Sequence, residues 1–411
     1  MRLPRRRHLP QVGSVNVSDK EKILFDLDQK YLDIRDEAIA LAAAVEQLAV
    51  EADAMSTVHD GVHKMLADSG LWALMVPARW GGRFDAVDPL AVSIVREVLM
   101  GTSAHLDSLF ALQGIGSFGL ARAGSDAVRD HWLPKVASGE VLAGLGLTEQ
   151  DAGSDLKNIV TEVRSDGGRL VLNGNKSFIS NGGAAGFYCV LAREGDGLSL
   201  FLVPADAPGL EITPTPEIIA PHILAELAFD DVEVDEAHRI GERGRGLEHV
   251  LATLAVFRVS VAGASIGLAQ AALEEAARHA GTRIQFGRPL ARLGAVADML
   301  GSSWAELEAA RLLTYRAADA ARVDPAASLH LSSMAKLVAS ETAGRITDRA
   351  VQISGRFGLV RDSKLERLYR QARPMRVYEG SSEILRLGIS KALVEQVMAA
   401  ETGSATLGVG R

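Results

Sequence analysis

The density of turn signals between residues 141 and 235 constrains this chain more than any other feature. Asp166-Gly-Gly168, Asn173-Gly174, Asn181-Gly-Gly183, Glu194-Gly-Asp-Gly197 and Ala207-Pro-Gly209 follow one another at short spacing. Between them lie short strand-like runs: Arg169–Leu172, Phe187–Ala192, Ser199–Val203 and Leu227–Phe229. Short strands so closely spaced predict an antiparallel sandwich or barrel.

The flanks read as helices. Tyr31 to Met55 is rich in Ala, Leu and Glu, and Val87 to Leu99 surrounds an Asp-Pro entry. Leu71 to Gly82 reads as a helix end running into a Gly-containing loop. Further on, Leu247–His279, Leu293–Val323, Ala326–Gly355 and Arg361–Arg373 carry apolar residues at helical spacing. Four helices in succession predict an up-and-down bundle. The expected fold class is α+β: an arm at 1–17, a helical N-terminal domain at 18–140, a middle β domain at 141–245, a four-helix bundle at 246–400 and a tail at 401–411.

Composition narrows the function. The formal charge of −8 disfavours wrapping nucleic acid, although Arg367, Arg370, Arg373 and Arg376 recur every three residues as a helical stripe. Cys189 is the only cysteine, so neither an intrachain disulfide nor a zinc–cysteine cluster can form. A reducing, cytoplasmic compartment and no metal are expected. No apolar run is read as approaching the roughly 20 residues that span a bilayer, so no membrane partner is expected. The Arg-rich start, Met1 to Pro10, lacks the apolar stretch of a secretory signal and reads as a disordered arm or a misplaced start. Gly241-Glu-Arg-Gly-Arg-Gly246 has the wrong glycine spacing for a dinucleotide fingerprint and reads as a loop.

Four strings carry chemistry. Leu145-Gly-Leu-Thr-Glu-Gln-Asp-Ala-Gly-Ser-Asp155 sets small and hydroxyl residues after a short apolar strand. Its turn can face backbone N–H groups and the Thr148 hydroxyl toward a flat polar heterocycle, or can be a plain polar connection. Asn173 to Gly182 reads as turn, strand and turn, with Phe178 and Ser180 on one face. That pair can shield and hydrogen-bond a flavin ring, or Phe178 can be core. Arg283-Ile-Gln-Phe-Gly-Arg-Pro-Leu290 offers guanidinium forks suited to a pyrophosphate, or is a solvated inter-helix loop. In Val377-Tyr-Glu-Gly-Ser-Ser-Glu-Ile-Leu-Arg386, Pro374 stops the preceding helix and Gly380 permits an unusual turn. Glu379 then stands on a bend between helices, either reaching into a cleft or solvated near a helix start.

In their order and wording these strings resemble the acyl-CoA dehydrogenases, over roughly residues 20 to 400. The resemblance implies a helical N-terminal domain, a central β-barrel and a C-terminal four-helix bundle. It implies FAD as cofactor and a homo-oligomer, tetramer or dimer, that passes electrons to an electron-transfer flavoprotein. Leu145, Leu147, Thr148, Gly153 and Ser154 match residues along the flavin, and Phe178, Ile179 and Ser180 match the shielding segment, Ser180 near N5. Arg283 and Phe286 match a subunit-crossing contact to FAD. Gln352, Gly355, Ser381 and Glu383 match further FAD contacts, while Ser154, Arg258 and Gly380 match positions lining the thioester path. Glu379 matches the base that removes the α-proton while a hydride moves from the β-carbon to flavin N5. The implied product is a trans-2-enoyl thioester of coenzyme A or of an acyl carrier protein, as in fatty acid metabolism. Some relatives place the base one residue before the Arg; here that residue is Phe257, which accepts no proton.

Three positions depart from the family pattern. Phe178 replaces the usual Trp, Arg356 stands where a second Gly is common, and Gly294 stands where a Gln often contacts FAD. Glu97 to Ala121, expected near the floor of the acyl pocket, has no Lys or Arg, which argues against a dicarboxylate. His105 and Asp107 are read as facing a polar or cyclic acyl group or as helix-start residues. The alternatives in other classes are a flavin monooxygenase or oxidase of this fold, and a flavin-bound, DNA-associating relative.

Overall fold

The computed structural model describes residues 27–406, with side chains to residue 399. The expected arm at 1–17 lies outside the described residues. The described residues begin with six α-helices: α1 (Gln29–Val45), α2 (Ala49–Ala52), α3 (Asp60–Ser69), α4 (Pro89–Met100), α5 (Ala104–Ala123) and α6 (Asp126–Ser138). Their starts follow local chemistry. Asp88 accepts from the Leu90 and Ala91 N–H groups at 2.9 and 3.2 Å, with Pro89 in the first turn of α4. Ser103 caps α5 by accepting from Leu106 N–H at 3.2 Å.

Strands β1 (Leu142–Gly146), β2 (Glu162–Asp166), β3 (Arg169–Ser180), β4 (Ala185–Glu194), β5 (Gly197–Pro204), β6 (Leu210–Pro214), β7 (Leu224–Val234) and β8 (Arg239–Ile240) form one sheet. The order is β6-β7-β3-β2-β4-β5-β8, with β1 beside β4. Both β1 and β2 meet β4 in parallel, so the sheet is mixed rather than wholly antiparallel. Among the described residues the pairing runs as an open path from β6 to β8, without the ladder that would close a ring.

Turns at Asp166-Gly-Gly168 and Glu194–Gly197 join β2 to β3 and β4 to β5 as the sequence predicts. Asn173-Gly174 does not turn the chain. It lies inside the twelve-residue β3 as a bulge, with Gly174 at φ +135° and the register against β7 shifting there. Asn173 is locked to the neighbouring strand instead, bonding Asp231 by side chain and backbone at 3.0 Å. A Cβ at Gly174 would sit 2.6 Å from Thr161 Cα, so close backbone approach rather than reversal demands the glycine.

The chain then returns to helices: α7 (Gly246–Thr282), α8 (Gly294–Val323), α9 (Leu329–Ser354), α10 (Lys364–Ala372) and α11 (Ser382–Thr406). A short hairpin, β9 (Ile284–Gln285) and β10 (Arg288–Pro289), projects between α7 and α8. The long helices are α7, α8, α9 and α11. The segment read from sequence as the fourth member, 361–373, is the nine-residue connector α10, because Pro374 and the bend after it break the chain. At its centre, α7 packs on α9, α8, α4 and α5. Cβ atoms on Gly263 and Gly267 would collide with the Ser93 and Glu97 carbonyls, so α4 rests directly on the α7 backbone. Among the described helices α7 alone is long and apolar enough to cross a membrane, contrary to the sequence reading. Its most apolar 18-residue stretch is 83% buried inside the protein.

Candidate active site

Between Pro374–Arg376 and α11 the chain makes a bend with two left-handed residues, Glu379 at φ +53° and Gly380 at φ +101°. Glycine tolerates this; a glutamate held there costs on the order of 1–3 kcal/mol. Two core cations offset the strain. From α7, Arg258 Nε donates to the Glu379 carbonyl at 2.8 Å; from α9, Lys336 Nζ donates to the Gly380 carbonyl at 2.8 Å. Hydrogen bonds from charged donors contribute roughly 1.5–3 kcal/mol each. The start of α11 is held as well. Ser382 donates to Glu341 at 2.6 Å, and Arg376 and Arg386 pair with Glu341 at 3.1 and 3.6 Å.

The Glu379 residue keeps part of its surface exposed, but its Oε2 is buried without a hydrogen-bond partner. Burial pushes this carboxyl above the usual carboxylate range, and Asp107 adds to the rise. Arg96, Arg258 and Lys336 oppose the shift in that order. A carboxylate with one oxygen buried and unpartnered, more basic than usual, on a backbone held from two helices, is equipped to take a proton.

Sequence reasoning missed Arg96, one residue ahead of the stretch inspected for a cation. It lies on α4 beneath the bend, with both side chains of the Arg96–Asp107 pair almost wholly buried. Its Nε and Nη2 hold Asp107 at 2.9 and 2.7 Å, and Nη1 donates to Ser260 at 3.0 Å. Asp107 is therefore half of a forked ion pair rather than a helix cap. His105 is buried too, its Nε2 accepting from His59 N–H at 3.1 Å. Burial pushes its imidazole down to about 4.

A second set gathers on the sheet. The loop after β1 is anchored by Glu149, which accepts from Val160 and Thr161 N–H at 2.7 and 3.0 Å and from Lys176 at 2.8 Å. Lys176 also reaches the Leu147 carbonyl at 3.1 Å, and Ser177 N–H bonds the Thr148 carbonyl at 2.8 Å. Leu145, Leu147 and Thr148 are half-buried, while Gly153 and Ser154 are exposed. Simple alternation does not place Phe178: β3 bulges between Lys176 and Ile179, and Phe178 takes φ +56°. The outcome is an aromatic ring left 54% exposed beside a buried Ile179 and a half-buried Ser180. Ser180 Oγ lies 3.2 Å from Nε2 of His222, a partner absent from the sequence reading. Although His222 keeps some exposed surface, burial pushes its imidazole down to about 4, with His105 acting in the same direction.

Of the remaining candidates, Ser381 and Glu383 follow the bend at the start of α11, while the others lie on the β9–β10 hairpin and at the end of α9. Phe286 and Gly287, at φ +52° and +71°, turn the β9–β10 hairpin, leaving Phe286 88% exposed at its tip. Arg283 is exposed at its base, 5.7 Å from the Phe357 ring centroid. Gln352 and Gly355 are exposed at the end of α9, where the Gln352 carbonyl accepts from Gly355 N–H. Ser381 accepts from Ile384 N–H at 3.5 Å, and the exposed Glu383 pairs with Arg386 at 3.6 Å. The arginine stripe is largely paired: Arg367 with Asp53, Arg370 with Glu366 and Arg376 with Glu341.

Three family models cover most of the chain. The acyl-CoA dehydrogenase N-terminal domain matches residues 28–140, the middle domain 144–232 and the C-terminal domain 244–394. The cyclohexane-1-carbonyl-CoA dehydrogenase of Geobacter metallireducens is 32% identical over 363 residues, 86% of this chain and 95% of that protein. Among solved structures, butyryl-CoA dehydrogenase from Megasphaera elsdenii superposes with a TM-score of 0.85 at 28% identity, over 90% of this chain and 100% of that one. A glutaryl-CoA dehydrogenase from Mycobacterium smegmatis in complex with FADH2 gives 0.81 at 26% identity, over 89% and 95%.

Proposed function

Since the chain belongs to the acyl-CoA dehydrogenase family and is an oxidoreductase of that type, we propose that it is an FAD-dependent enzyme that converts an acyl thioester to the trans-2-enoyl thioester with Glu379 as base. The observation that carries this reading is the buried, unpartnered Oε2 of Glu379 on a bend held by Arg258 and Lys336. The residues fit a bound flavin. An exposed Phe178 on a bulge and the open loop at Gly153 and Ser154 form surfaces left uncovered by the chain itself, with the half-buried Ser180 beside them. Leu145 to Ser154, Phe178, Ile179 and Ser180 would hold the ring. Ser381, Glu383, Gln352, Gly355 and, from a second copy, Arg283 and Phe286 would hold the remainder. When bound, FAD supplies the two-electron acceptor for the hydride that leaves the acyl β-carbon.

The protein's own part is to move one proton and exclude water. Glu379 Oε2 takes the α-proton, and its raised basicity makes that transfer less uphill. With the bend carbonyls occupied by Arg258 and Lys336, the Glu379 backbone N–H is assigned to the thioester carbonyl, where it stabilises enolate-like charge. Arg96 does not restore a dicarboxylate substrate, because Asp107 already takes its fork. The thioester is carried by coenzyme A or an acyl carrier protein. An electron-transfer flavoprotein is the proposed acceptor, and a homo-oligomer and a cytoplasmic setting complete the reading.

The test is Glu379→Gln in the purified flavoprotein. The variant should retain FAD and lose thioester dehydrogenation by on the order of 100- to 10,000-fold, the usual contribution of a positioned base. Turnover near that of the unaltered protein would remove Glu379 from the mechanism. Failure of the unaltered protein to take up flavin would remove the function itself.

A further inference from the structure

Lys336 is among the largest fully buried side chains of the molecule, and no carboxylate pairs with it directly among the described residues. Its ammonium is instead directed onto the backbone, at the Gly380 carbonyl 2.8 Å away. The neighbouring carbonyl, of Glu379, is taken by Arg258, which also donates to Ser333 at 3.3 Å on the same helix as Lys336. A buried lysine is a costly way to satisfy one backbone oxygen, since a hydroxyl or amide would do so without desolvating a charge. The charge itself therefore has work at this place. Glu379 is the carboxylate that acts most strongly on Lys336, ahead of Glu341 and Glu383.

We infer that Lys336 is a positioning residue for Glu379: it fixes the left-handed Gly380 peptide and keeps a positive charge behind the bend. The inference rests on the proposed role of Glu379 as base. The hydrogen bond holds one peptide of the bend while Arg258 holds the other, so the carboxylate leaves the backbone in one orientation. The charge limits how far burial raises the carboxyl, so that Glu379 remains ionised when the thioester arrives. The other groups acting on Glu379 are Arg96 on α4, Arg258 on α7 and Asp107 on α5, and none of them contacts the Gly380 carbonyl among the bonds described.

The experiment compares Lys336→Met and Lys336→Gln with the unaltered FAD-loaded enzyme. Met removes both charge and donor; Gln keeps a donor without charge. Two readouts are taken: the pH profile of kcat, and α-proton exchange into a 3-thia-acyl-CoA, whose sulfur in place of the β-carbon blocks hydride loss. With FAD content retained, kcat should fall roughly 10- to 100-fold in Lys336→Met with KM changed less than threefold. The acid limb should move to higher pH in both variants, and proton exchange should slow in step with kcat. If Lys336→Met does not fold, Lys336→Gln carries the test through the shift of the acid limb. An unmoved acid limb with full proton exchange in a folded variant would overturn the inference. If the unaltered enzyme exchanges no α-proton, the reading of Glu379 fails instead, and the two outcomes are distinct.

Discussion

Lys176 and Glu149 meet at 2.8 Å with side chains 0% and 6% exposed, joining the bulged strand β3 to the loop after β1. Burial alone would raise the Glu149 carboxyl, but Lys176 and the Thr161 and Val160 bonds outweigh it and hold it below the usual carboxylate range. This one pair sets the loop that precedes Gly153 and Ser154 against the strand that presents Phe178 and Ser180.

Replacing Lys176 by Met should strand a buried carboxylate. Loss of one partner of such a pair costs roughly 3–5 kcal/mol. Urea unfolding should register that loss, and the folded fraction should bind FAD more weakly. An unchanged urea midpoint together with unchanged flavin affinity would show that the pair does not organise the loop.

Glu379→Gln should stabilise the protein, by an amount that depends on pH. The folded protein raises the pKa of this carboxyl above its ordinary value of 4.5, so it binds a proton that the unfolded chain has already lost. Stability contributed by the neutral carboxyl is present below about 4.5 and fades as pH rises through the elevated folded value. Melting curves at pH 5 and pH 8 should therefore show a larger gain in Tm for the variant at pH 8. Equal gains at both values would mean that Glu379 is not buried as a charge.

Arg96 and Asp107 should behave as one unit. Arg96→Met or Asp107→Leu alone leaves a charge buried without its partner, at roughly 3–5 kcal/mol. The combined Arg96→Met, Asp107→Leu protein should recover most of that loss, and a double-mutant cycle on urea midpoints measures the coupling. Additive losses would show that the two side chains act independently. Arg96→Met should also move the acid limb of turnover upward, since Arg96 is the foremost cation acting on Glu379.

Phe286→Ser should leave the fold of a single chain untouched, because the ring is 88% exposed and meets solvent at the tip of its hairpin. If a second copy uses that ring to hold FAD, flavin affinity should fall severalfold, or the assembly should weaken in sedimentation. No change in either measurement would return Phe286 to the surface.

Much of this was legible in the sequence because it depends on local chemistry. The helical flanks, the hairpins at Gly167-Gly168 and Gly195, and the break before Glu379 all follow from residues a few positions apart. Asn173-Gly174 misled for the opposite reason. Its glycine answers to Thr161 on another segment, which no local pattern reports. The apolar spacing of α10 predicts a bundle member, but its length is decided by Pro374 and the bend beyond. Glu379 could be singled out from its string, but its surroundings could not. Arg96 and Lys336 lie 283 and 43 residues away in sequence, on α4 and α9.

The bare glycine crossing of α4 over α7 has a consequence for how this enzyme can vary. With Gly263 and Gly267 touching the opposite backbone, the two helices are already at minimum separation, and α7 is the rod from which Arg258 reaches the base. The gap between these layers cannot be narrowed, because backbone already meets backbone there. Extra room beside α4 and α5 would therefore have to come from shorter side chains on those helices, with the framework left where it is.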